Sequence, residues 1–350
     1  SLIQLFTKHQ LQNNIMENQN FNNRVFGLAL IKSINSNFNA DFTGQPRTLP
    51  DGRIYATDKA LKYSIRHFIH QQYPEDKVLY YKRLNEKTHP YSLAELYDVV
   101  DLGEFDKDFK DKPKILKNIL SCIDVRLFGS TFTPKKGKGN NEKSVNLSVH
   151  GTVQVNHGLN QFHRNDIPID ETYSEQISAP FRSDNAKSEK EAQQATIGRQ
   201  SKLREGHYSY HFSINPKNLS PLVDLVNKGQ GDNSSQGLTQ KDITILKEGL
   251  RLGVTHFDSS SKAGSDNELL LWVQLKDGSK KVMPSFTEMV KVTRSNGKVE
   301  IDLSDLKGLL SNFDDDIEII ELYYSPENST LNNIPESAKL KHLLTGKDLN

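Results

Sequence analysis

The chain has 350 residues, with 45 Lys or Arg, 44 Asp or Glu and 35% apolar residues. Cys122 is the only cysteine, which excludes an internal disulfide and a small disulfide-stabilised secreted scaffold, and favours a reducing cytoplasm. The longest apolar runs are far shorter than the ~20 residues that cross a bilayer, and the first residues lack a secretory pattern. We therefore expect a cytoplasmic protein that has no membrane partner.

Charge is nearly balanced, at +1 overall, but it is unevenly distributed along the chain. Residues 43–70 and 132–164 are basic, and the second window holds five basic side chains against one acidic side chain. Residues 95–111 and 300–330 are acidic, and the latter holds nine acidic residues against one lysine. The basic windows predict contact with a polyanion, whereas the alternative is that each is an ordinary solvated face.

The first predicted strand covers residues 25–31, which are apolar on both faces and therefore suit the middle of a covered sheet. A loop rich in Asn, Gly and Pro follows over residues 35–52. A helix is expected to begin at Thr57, an N-cap residue with Asp58 in the first turn.

This helix has an apolar face and a cationic face at the 3.6-residue period. The cationic face consists of Lys59, Lys62, Arg66 and His70. Because a stripe of like charges repels itself, we expect an anion to lie on it.

Mid-chain patterns predict short elements around a basic loop. The capping box Ser92-Leu-Ala-Glu95 and residues 112–121 predict two helices, and residues 124–129 predict a strand. A loop with Lys135, Lys136 and Lys138 comes next. From residue 145 to residue 155, apolar and polar side chains alternate without interruption, which predicts one half-exposed strand.

The later part of the chain mixes strands and helices without a regular βαβ order. A polar insertion over residues 165–205 precedes a predicted half-buried strand at 208–214. A helix is predicted at 240–252, a strand buried on both faces at 269–273, and late strands at 299–303 and 317–324. This order predicts an α+β fold with a largely antiparallel sheet.

No motif identifies an active site. The glycine-rich motifs of nucleotide-binding enzymes do not follow any predicted strand. His207 and His211 have the sequence spacing of a zinc pair, but in a strand they would lie about 13 Å apart, too far to share an ion. His150, His157 and His163 are possible acid–base groups that more commonly serve as surface or hydrogen-bonding residues. Asp41 could position a metal or a 2′-hydroxyl, although an Asp that closes its own turn is commoner.

Four groups of motifs occur in a fixed order between residues 23 and 275. They are NRVFGLALI (23–31) with NADFTGQPR (39–47); TDKALK (57–62) with SIR (64–66); DVRLFGSTF (124–132) with GTVQ (151–154) and GLN (158–160); and IGR (197–199) with GHY (206–208) and SKAG (261–264). Together they resemble the Cas-seven family of the RAMP superfamily, the repeated backbone subunit of type I CRISPR Cascade complexes, and most closely its I-B-like branch.

The resemblance implies a modified RRM (ferredoxin-like) palm with an antiparallel sheet, inserted finger regions and a protruding thumb hairpin. Residues 1–22 would be a leader and residues 23–350 a single palm. Insertions would occupy about 35–56 and 76–122, with a basic loop at 133–144 and the thumb at 165–205.

The resemblance also implies a non-catalytic subunit that polymerises head to tail along CRISPR RNA and supports pairing of the guide with target DNA. Its partners would be the guide, the paired DNA strand, further copies of itself and other Cascade subunits, with no cofactor. The candidate RNA-binding residues are Arg47, Arg53, Lys59, Lys62, Arg66, Lys135, Lys136, Lys138, Gln154, His157, Asn160, Arg199, Lys202, Arg204 and Lys262. The alternatives are a type III-like endoribonuclease that cuts target RNA with Asp41, and a protein-binding module unrelated to CRISPR.

Overall fold

The computed structural model describes residues 16–164, 167–168, 171–178, 197–231 and 233–349. In chain order, the strands are β1 (Val25–Ser36), β2 (Tyr55–Ala56), β3 (Ser130–Phe132), β4 (Lys135–Lys136), β5 (Lys143–Ser144), β6 (Leu147–Val149), β7 (Val153–Val155), β8 (Gly158–Asn160), β9 (His163–Arg164), β10 (Ile167–Pro168), β11 (Thr172–Ser178), β12 (Ile197–Ile214), β13 (Ser265–Leu275), β14 (Lys291–Ser295), β15 (Lys298–Asp302), β16 (Ile317–Tyr324), β17 (Ser329–Asn332) and β18 (Ala338–His342). The α-helices are α1 (Asp58–Gln72), α2 (Leu93–Val99), α3 (Phe105–Asp108), α4 (Lys112–Leu120), α5 (Ile123–Phe128), α6 (Ser220–Gln230), α7 (Gln240–His256) and α8 (Ser304–Leu310).

The main sheet is built around β1. Its strand order is β18-β16-β13-β1-β12-β8-β2, and β7 and β11 also pair with β12. β1 runs antiparallel to both neighbours, β12 and β13, while β16 and β18 are parallel. The predicted central position of the first strand and the predicted α+β fold with a largely antiparallel sheet are both confirmed.

Alternate side chains of β1 enter two different cores. Ala29 and Ile31 belong to the core that includes the apolar faces of α1 and α7. Leu28 and Leu30 belong to a second core, which includes Phe286 and residues of β14, β15 and α8. A strand buried on both sides needs apolar residues at every position, which explains the run that the sequence shows here.

A third core lies within the helical insertion between β2 and β6. It is formed by α2 to α5 with β3 and β6, together with α6, which follows β12 and packs on the insertion, and its largest fully buried side chains are Tyr97, Phe105 and Phe132. The predicted capping box is present, because Ser92 accepts from the amide of Glu95 while the Glu95 carboxylate accepts from the amide of Ser92. The predicted helices from residues 92 and 112 are thus confirmed.

Residues 124–129, predicted as a strand, instead lie largely in the short helix α5. The buried Asp124 carboxylate accepts hydrogen bonds from the amides of Leu79 (2.8 Å) and Tyr80 (2.9 Å), which anchors this helix to the start of the insertion. A short apolar run does not distinguish strand from helix, and here a long-range contact decides between them.

The single strand predicted over residues 145–155 is also wrong, because β6 and β7 are separated by a break at residues 150–152. The backbone of Gly151 touches that of Gly129 there. A Cβ atom on either glycine would overlap backbone atoms of the other, and Gly129 has a φ of +80°. Alternation continues across the break, so the pattern alone does not reveal it.

The strand predicted at 208–214 was expected to expose its polar side. In β12, however, Ser209 and His211 are buried as well as Tyr208, Tyr210 and Phe212, because the second core covers the face that was expected to be open.

β11 and the first half of β12 pair antiparallel from Thr172↔Leu203 to Ser178↔Ile197. The rest of the predicted thumb, notably residues 179–196, lies outside the described residues, as do residues 1–15 of the predicted leader. Phe21, from the end of that leader, is buried in the first core. Among the described residues, no helix has the length and apolarity needed to cross a bilayer.

Candidate nucleic-acid interface

Residues 37–57, which we call the junction loop, connect β1 to α1 and are fixed at both ends. Thr57 caps α1 by accepting from the Ala60 amide, and the side-chain oxygen of Asn39 accepts from both the amide and the hydroxyl of Thr57. The Asn160 amide donates to the carbonyl of Ile54. These bonds attach the loop that carries Arg47 and Arg53 to the start of α1 and to β8.

The junction loop also touches the base of the predicted thumb. Asn37 donates to the carbonyl of Ser201 in β12 (3.2 Å), and Gln45 donates to the hydroxyl of Ser174 in β11 (3.5 Å). The start of α1 and the β11–β12 pair are therefore linked through one loop.

Lys59 and His157 lie at the start of α1. Lys59 is exposed, and no carboxylate pairs with it in the part of the chain that the structure describes. The His157 ring, 52% exposed, packs on Tyr55 with the centroids 5.4 Å apart, and its Nδ1 accepts from the Asp58 amide (3.3 Å). This is a small cationic and aromatic surface open to solvent.

The rest of the cationic face of α1 is neutralised by the protein itself. Lys62 pairs with Asp58 (2.9 Å) and Arg66 pairs with the buried Asp124 (3.1 Å), and their side chains are only 14% and 16% exposed. His70 packs against Tyr81 at 4.3 Å. The anion expected on this face is thus internal, and a bound strand would have to compete with it at Lys62 and Arg66.

The basic loop meets the acidic block of residues 95–111. Lys136 and Lys143 both donate to Asp106, at 2.7 and 3.0 Å, and these hydrogen bonds lower the pKa of that carboxyl. Lys135 lies 3.6 Å from Glu142, whereas Lys138 is exposed without an ion pair among the described residues. The basic loop and the acidic block of residues 95–111 therefore contact each other.

On β12, in the part predicted to belong to the thumb, Arg199 is exposed and Lys202 is half-buried. Arg204 pairs with Glu171 (3.2 Å) and remains 71% exposed. Gln154 on β7 is exposed as well, and its amide donates to the carbonyl of Gly151.

Arg53 and Asn160 border a polar cavity of about 340 Å³ beside β8 and β14. Arg53 pairs there with Glu288 (2.8 Å), and the Nε2 of the buried Gln161 has no partner among the described residues. Asn160 is buried, and its side-chain oxygen accepts from the amides of His207 and Phe162. It supports the strand instead of facing solvent.

Lys262 was predicted to contact RNA, but its side chain points into the protein. The amine donates to the carbonyl of Phe38 and lies 4.9 Å from the centre of the Phe38 ring. Burial lowers the pKa of Lys262 to about 8. The SKAG motif therefore fastens the start of the junction loop to the segment that leads into β13.

Asp41 closes a turn within the junction loop. One oxygen of its carboxylate accepts from the amide and hydroxyl of Thr43 and from the Gln45 amide, at 2.8 to 3.0 Å. The Thr43 hydroxyl contributes most to lowering the pKa of Asp41. Across the described residues, no group of three or more His, Cys, Asp or Glu side chains is placed to hold a metal ion.

His207 and His211, which have the sequence spacing of a zinc pair, lie in different environments. His207 is enclosed by Glu205 and Glu268, and His211 packs against Phe26 and Phe286.

Sequence reasoning did not single out Phe42, which is fully exposed at the tip of the turn closed by Asp41. The Arg47 guanidinium lies 5.9 Å from the centre of its ring. The available signal was an aromatic residue between the turn-forming residues Asp41 and Gly44 of a polar loop.

The family model described as CRISPR-associated protein Cas7 matches residues 23–311. A solved chain titled "CRISPR RNA-guided surveillance complex, pre-nicking" is similar in fold, with a TM-score of 0.50 and 14% identity over 91% of this chain and 96% of that chain. Another, titled "CRISPR RNA-guided surveillance complex", aligns with a TM-score of 0.44 and 14% identity over 90% and 96% of the two chains. No curated protein sequence matches the chain. Because the family match spans most of its length, the chain belongs to the family of CRISPR-associated protein Cas7.

Proposed function

We propose that this protein is a guide-RNA-binding backbone subunit of a type I, I-B-like, CRISPR surveillance complex in the cytoplasm. The β1-centred sheet with α1 and α7 would serve as an RRM-like palm. Copies would stack head to tail along the guide with the other subunits, and the assembled array would support pairing of the guide with target DNA.

The observation that carries this proposal is the junction loop, which joins the start of α1 to the β11–β12 pair by side-chain hydrogen bonds. Arg47 lies on this loop, Lys59 and Arg199 lie on α1 and β12, and His157 directly precedes β8. A guide is gripped through its phosphates and 2′-hydroxyls while base pairing reads the sequence, so cations on a rigid frame suffice and base-specific side chains are unnecessary.

The proposal is tested by the salt dependence of binding to a single-stranded guide RNA. A variant with Arg47→Ala, Lys59→Ala and Arg199→Ala should bind more weakly. Its plot of log affinity against log salt should flatten by about 0.7 for each phosphate that the variant no longer neutralises. Lys112→Ala, an exposed lysine on the helical insertion, is the control and should leave the slope unchanged. An unchanged slope in the triple variant contradicts the proposal.

We further propose that the subunit is not a nuclease. This is supported by the three hydrogen bonds that the Asp41 carboxylate accepts within its own turn. RNA complementary to the guide should stay intact when it is incubated with the assembled subunit and Mg²⁺. Cuts at regular intervals that disappear in Asp41→Ala would favour the endoribonuclease instead.

A further inference from the structure

A cavity of about 490 Å³ lies at the opposite end of β1 from the junction loop. Its walls come from residues 20–24 before β1, residues 215–224 after β12, residues 237–238 before α7 and residues 276–281 after β13. The 12 residues of β1 place this cavity about 36 Å from the strand end where the junction loop begins. It is therefore distant from the junction loop, whereas His157 is nearer, because its neighbour Asn156 bonds to His211, four residues before the wall residue Asn215.

The cavity carries an excess of positive charge. Its basic residues are Arg24, Lys217, Lys276, Lys280 and Lys281, and its acidic residues are Asp224 and Asp277. The Lys276 amine donates to the carbonyl of Asp315 (2.7 Å). For the other four cations, no carboxylate partner occurs among the residues that the structure describes. Such a concentration of unpaired cations favours an anionic ligand.

Two buried polar atoms in the walls have no hydrogen-bond partner among the described residues. They are the donor Arg24 Nε and the acceptor Asn215 Oδ1. The orientation of the Asn215 amide follows from its neighbour: Asn218 donates to the carbonyl of Gly151, so its oxygen faces Asn215 and accepts from Nδ2 of that residue (3.1 Å). Both atoms are closed to solvent in this conformation, so they meet a ligand only if its binding opens the walls, and an acceptor would then suit Arg24 and a donor Asn215.

The cavity also has apolar surface. Phe21, Pro216, Val223 and Leu238 are buried wall residues. Leu225 and Val282, which directly follow the wall residues Asp224 and Lys281, are 60% and 66% exposed. Single exposed aliphatic residues are common on protein surfaces, so the apolar residues that line the cavity itself are what favours a partly apolar ligand.

We propose that this cavity binds an acidic, partly apolar polypeptide segment of a partner protein. A polypeptide supplies carboxylates for the lysines, carbonyl and amide groups for Arg24 and Asn215, and side chains for the apolar walls. An RNA backbone also supplies phosphate acceptors and 2′-hydroxyl donors, but it has no aliphatic groups for the apolar walls, and this favours the polypeptide. The chain's own acidic residues 314–316 are disfavoured as the ligand, because Asp316 is already bonded to Lys276 and Ser279 beside the cavity.

The test uses fluorescence anisotropy with the full chain and a fluorescein-labelled octapeptide of alternating Glu and Leu. The peptide should bind the unaltered protein, and Lys280→Glu with Lys281→Glu should weaken binding at least tenfold. Both lysines are exposed, so the fold should be retained. The charge-matched control, Lys110→Glu with Lys112→Glu on the insertion, should leave binding unchanged. A peptide with Ser in place of Leu should bind more weakly.

Absence of peptide binding, or an equal loss in the control, overturns the proposal. The same double variant should leave the affinity for guide RNA and its salt slope unchanged. A weakened RNA affinity would assign the cavity to the nucleic-acid surface instead. A concentration-dependent dimer that the variant abolishes would assign it to a second copy. Loss of RNA binding in the junction-loop variants leaves this test intact, so the two proposals fail separately.

Discussion

At the scale of single residues, Arg66 illustrates how one ion pair changes the role of a cation. Its Nε donates to the carboxylate of Asp124, which is fully buried and also accepts from two backbone amides. Its guanidinium also lies 5.1 Å from the centre of the Phe128 ring. Arg66 therefore helps to attach α5 to α1, and this role is independent of any contact with RNA.

We expect Arg66→Ala to destabilise the protein by about 3–5 kcal/mol, because it leaves a buried carboxylate without its cation. Lys59→Ala should change the free energy of unfolding by less than about 0.5 kcal/mol, since Lys59 is an exposed surface residue. Urea unfolding of the two variants measures this difference. Equal stabilities would mean that the Arg66–Asp124 pair contributes nothing to the fold. An RNA-binding test at Arg66 must therefore include a stability measurement.

Phe42 is the second residue with a specific prediction. If its exposed ring stacks on a base of the bound strand, Phe42→Ala should weaken RNA binding by about 1–3 kcal/mol. Phe42→Trp should bind normally and lose fluorescence when RNA is added. The only natural tryptophan, Trp272, is fully buried and provides a constant background. Leu344→Trp, beyond β18 on the other edge of the sheet, is the control. Equal fluorescence changes at positions 42 and 344 would contradict stacking.

At the scale of elements, a buried charged cluster joins β12, β13 and β14. His207 Nδ1 lies 2.6 Å from Glu268 and its Nε2 lies 3.1 Å from Glu205, which also accepts from Arg294 of β14 at 2.8 Å. Burial alone would lower the pKa of His207, but the Glu268 charge and the two hydrogen bonds outweigh burial and raise the pKa to about 9. Burial likewise raises the pKa of Glu205, but the hydrogen bonds from His207 and Arg294 bring it down to about 2.

These shifts predict how His207 contributes to stability as the pH changes. Because its pKa is higher in the folded state, the contribution is complete below the unfolded value of ~6.5 and is lost as the pH rises through about 9. Glu205 behaves oppositely, and its contribution is lost as the pH falls from the ordinary value of 4.5 toward about 2. The difference in unfolding free energy between the unaltered protein and His207→Gln should thus be larger at pH 6 than at pH 9.5. A difference that is independent of pH would show that His207 is neutral in the fold.

Elements with local signals were predictable from the sequence. Ser92 and Thr57 cap helices through residues three positions away, and the two-sided apolar run of β1 reflects burial on both faces. α5 and the break at Gly151 depend on contacts between residues far apart in sequence, which no local pattern contains. For the same reason, the sequence identified the cationic residues of the candidate site, but it could not identify the groups within the protein that bind them. Asp124 is 58 positions from Arg66, and Phe38 is 224 positions from Lys262.

At the scale of the whole molecule, β1 couples two cores. Both of its edges are hydrogen-bonded and its two faces enter different cores, so its amides should open only when both cores open. Each strand of the β4–β5 hairpin is only two residues long, and its side chains are half-buried or exposed. Hydrogen exchange followed by mass spectrometry should therefore show the slowest exchange in β1 and much faster exchange in this hairpin. Comparable rates in both would mean that the hairpin is protected by something other than its own pairing.

The arrangement of charge also becomes clear only at this scale. Asp106 neutralises two lysines around the basic loop, and Asp58 and Asp124 neutralise the face of α1. The cations without carboxylate partners among the described residues include Arg47 and Lys59 near the junction loop and Arg24, Lys217, Lys280 and Lys281 around the cavity at the start of β1. The net charge of the sequence is near zero, but the folded protein has two separate positive regions.

The contact between Gly129 and Gly151 joins the end of the helical insertion to the strand that leads back into the main sheet. A side chain at either position would force the two backbones apart and shift the insertion relative to the main sheet. We therefore expect a change in the loops within the insertion to disturb the sheet less than a substitution of either glycine. In a chimaera that exchanges this insertion between proteins of similar fold, the cut points should lie outside the pair so that the two glycines are transferred together.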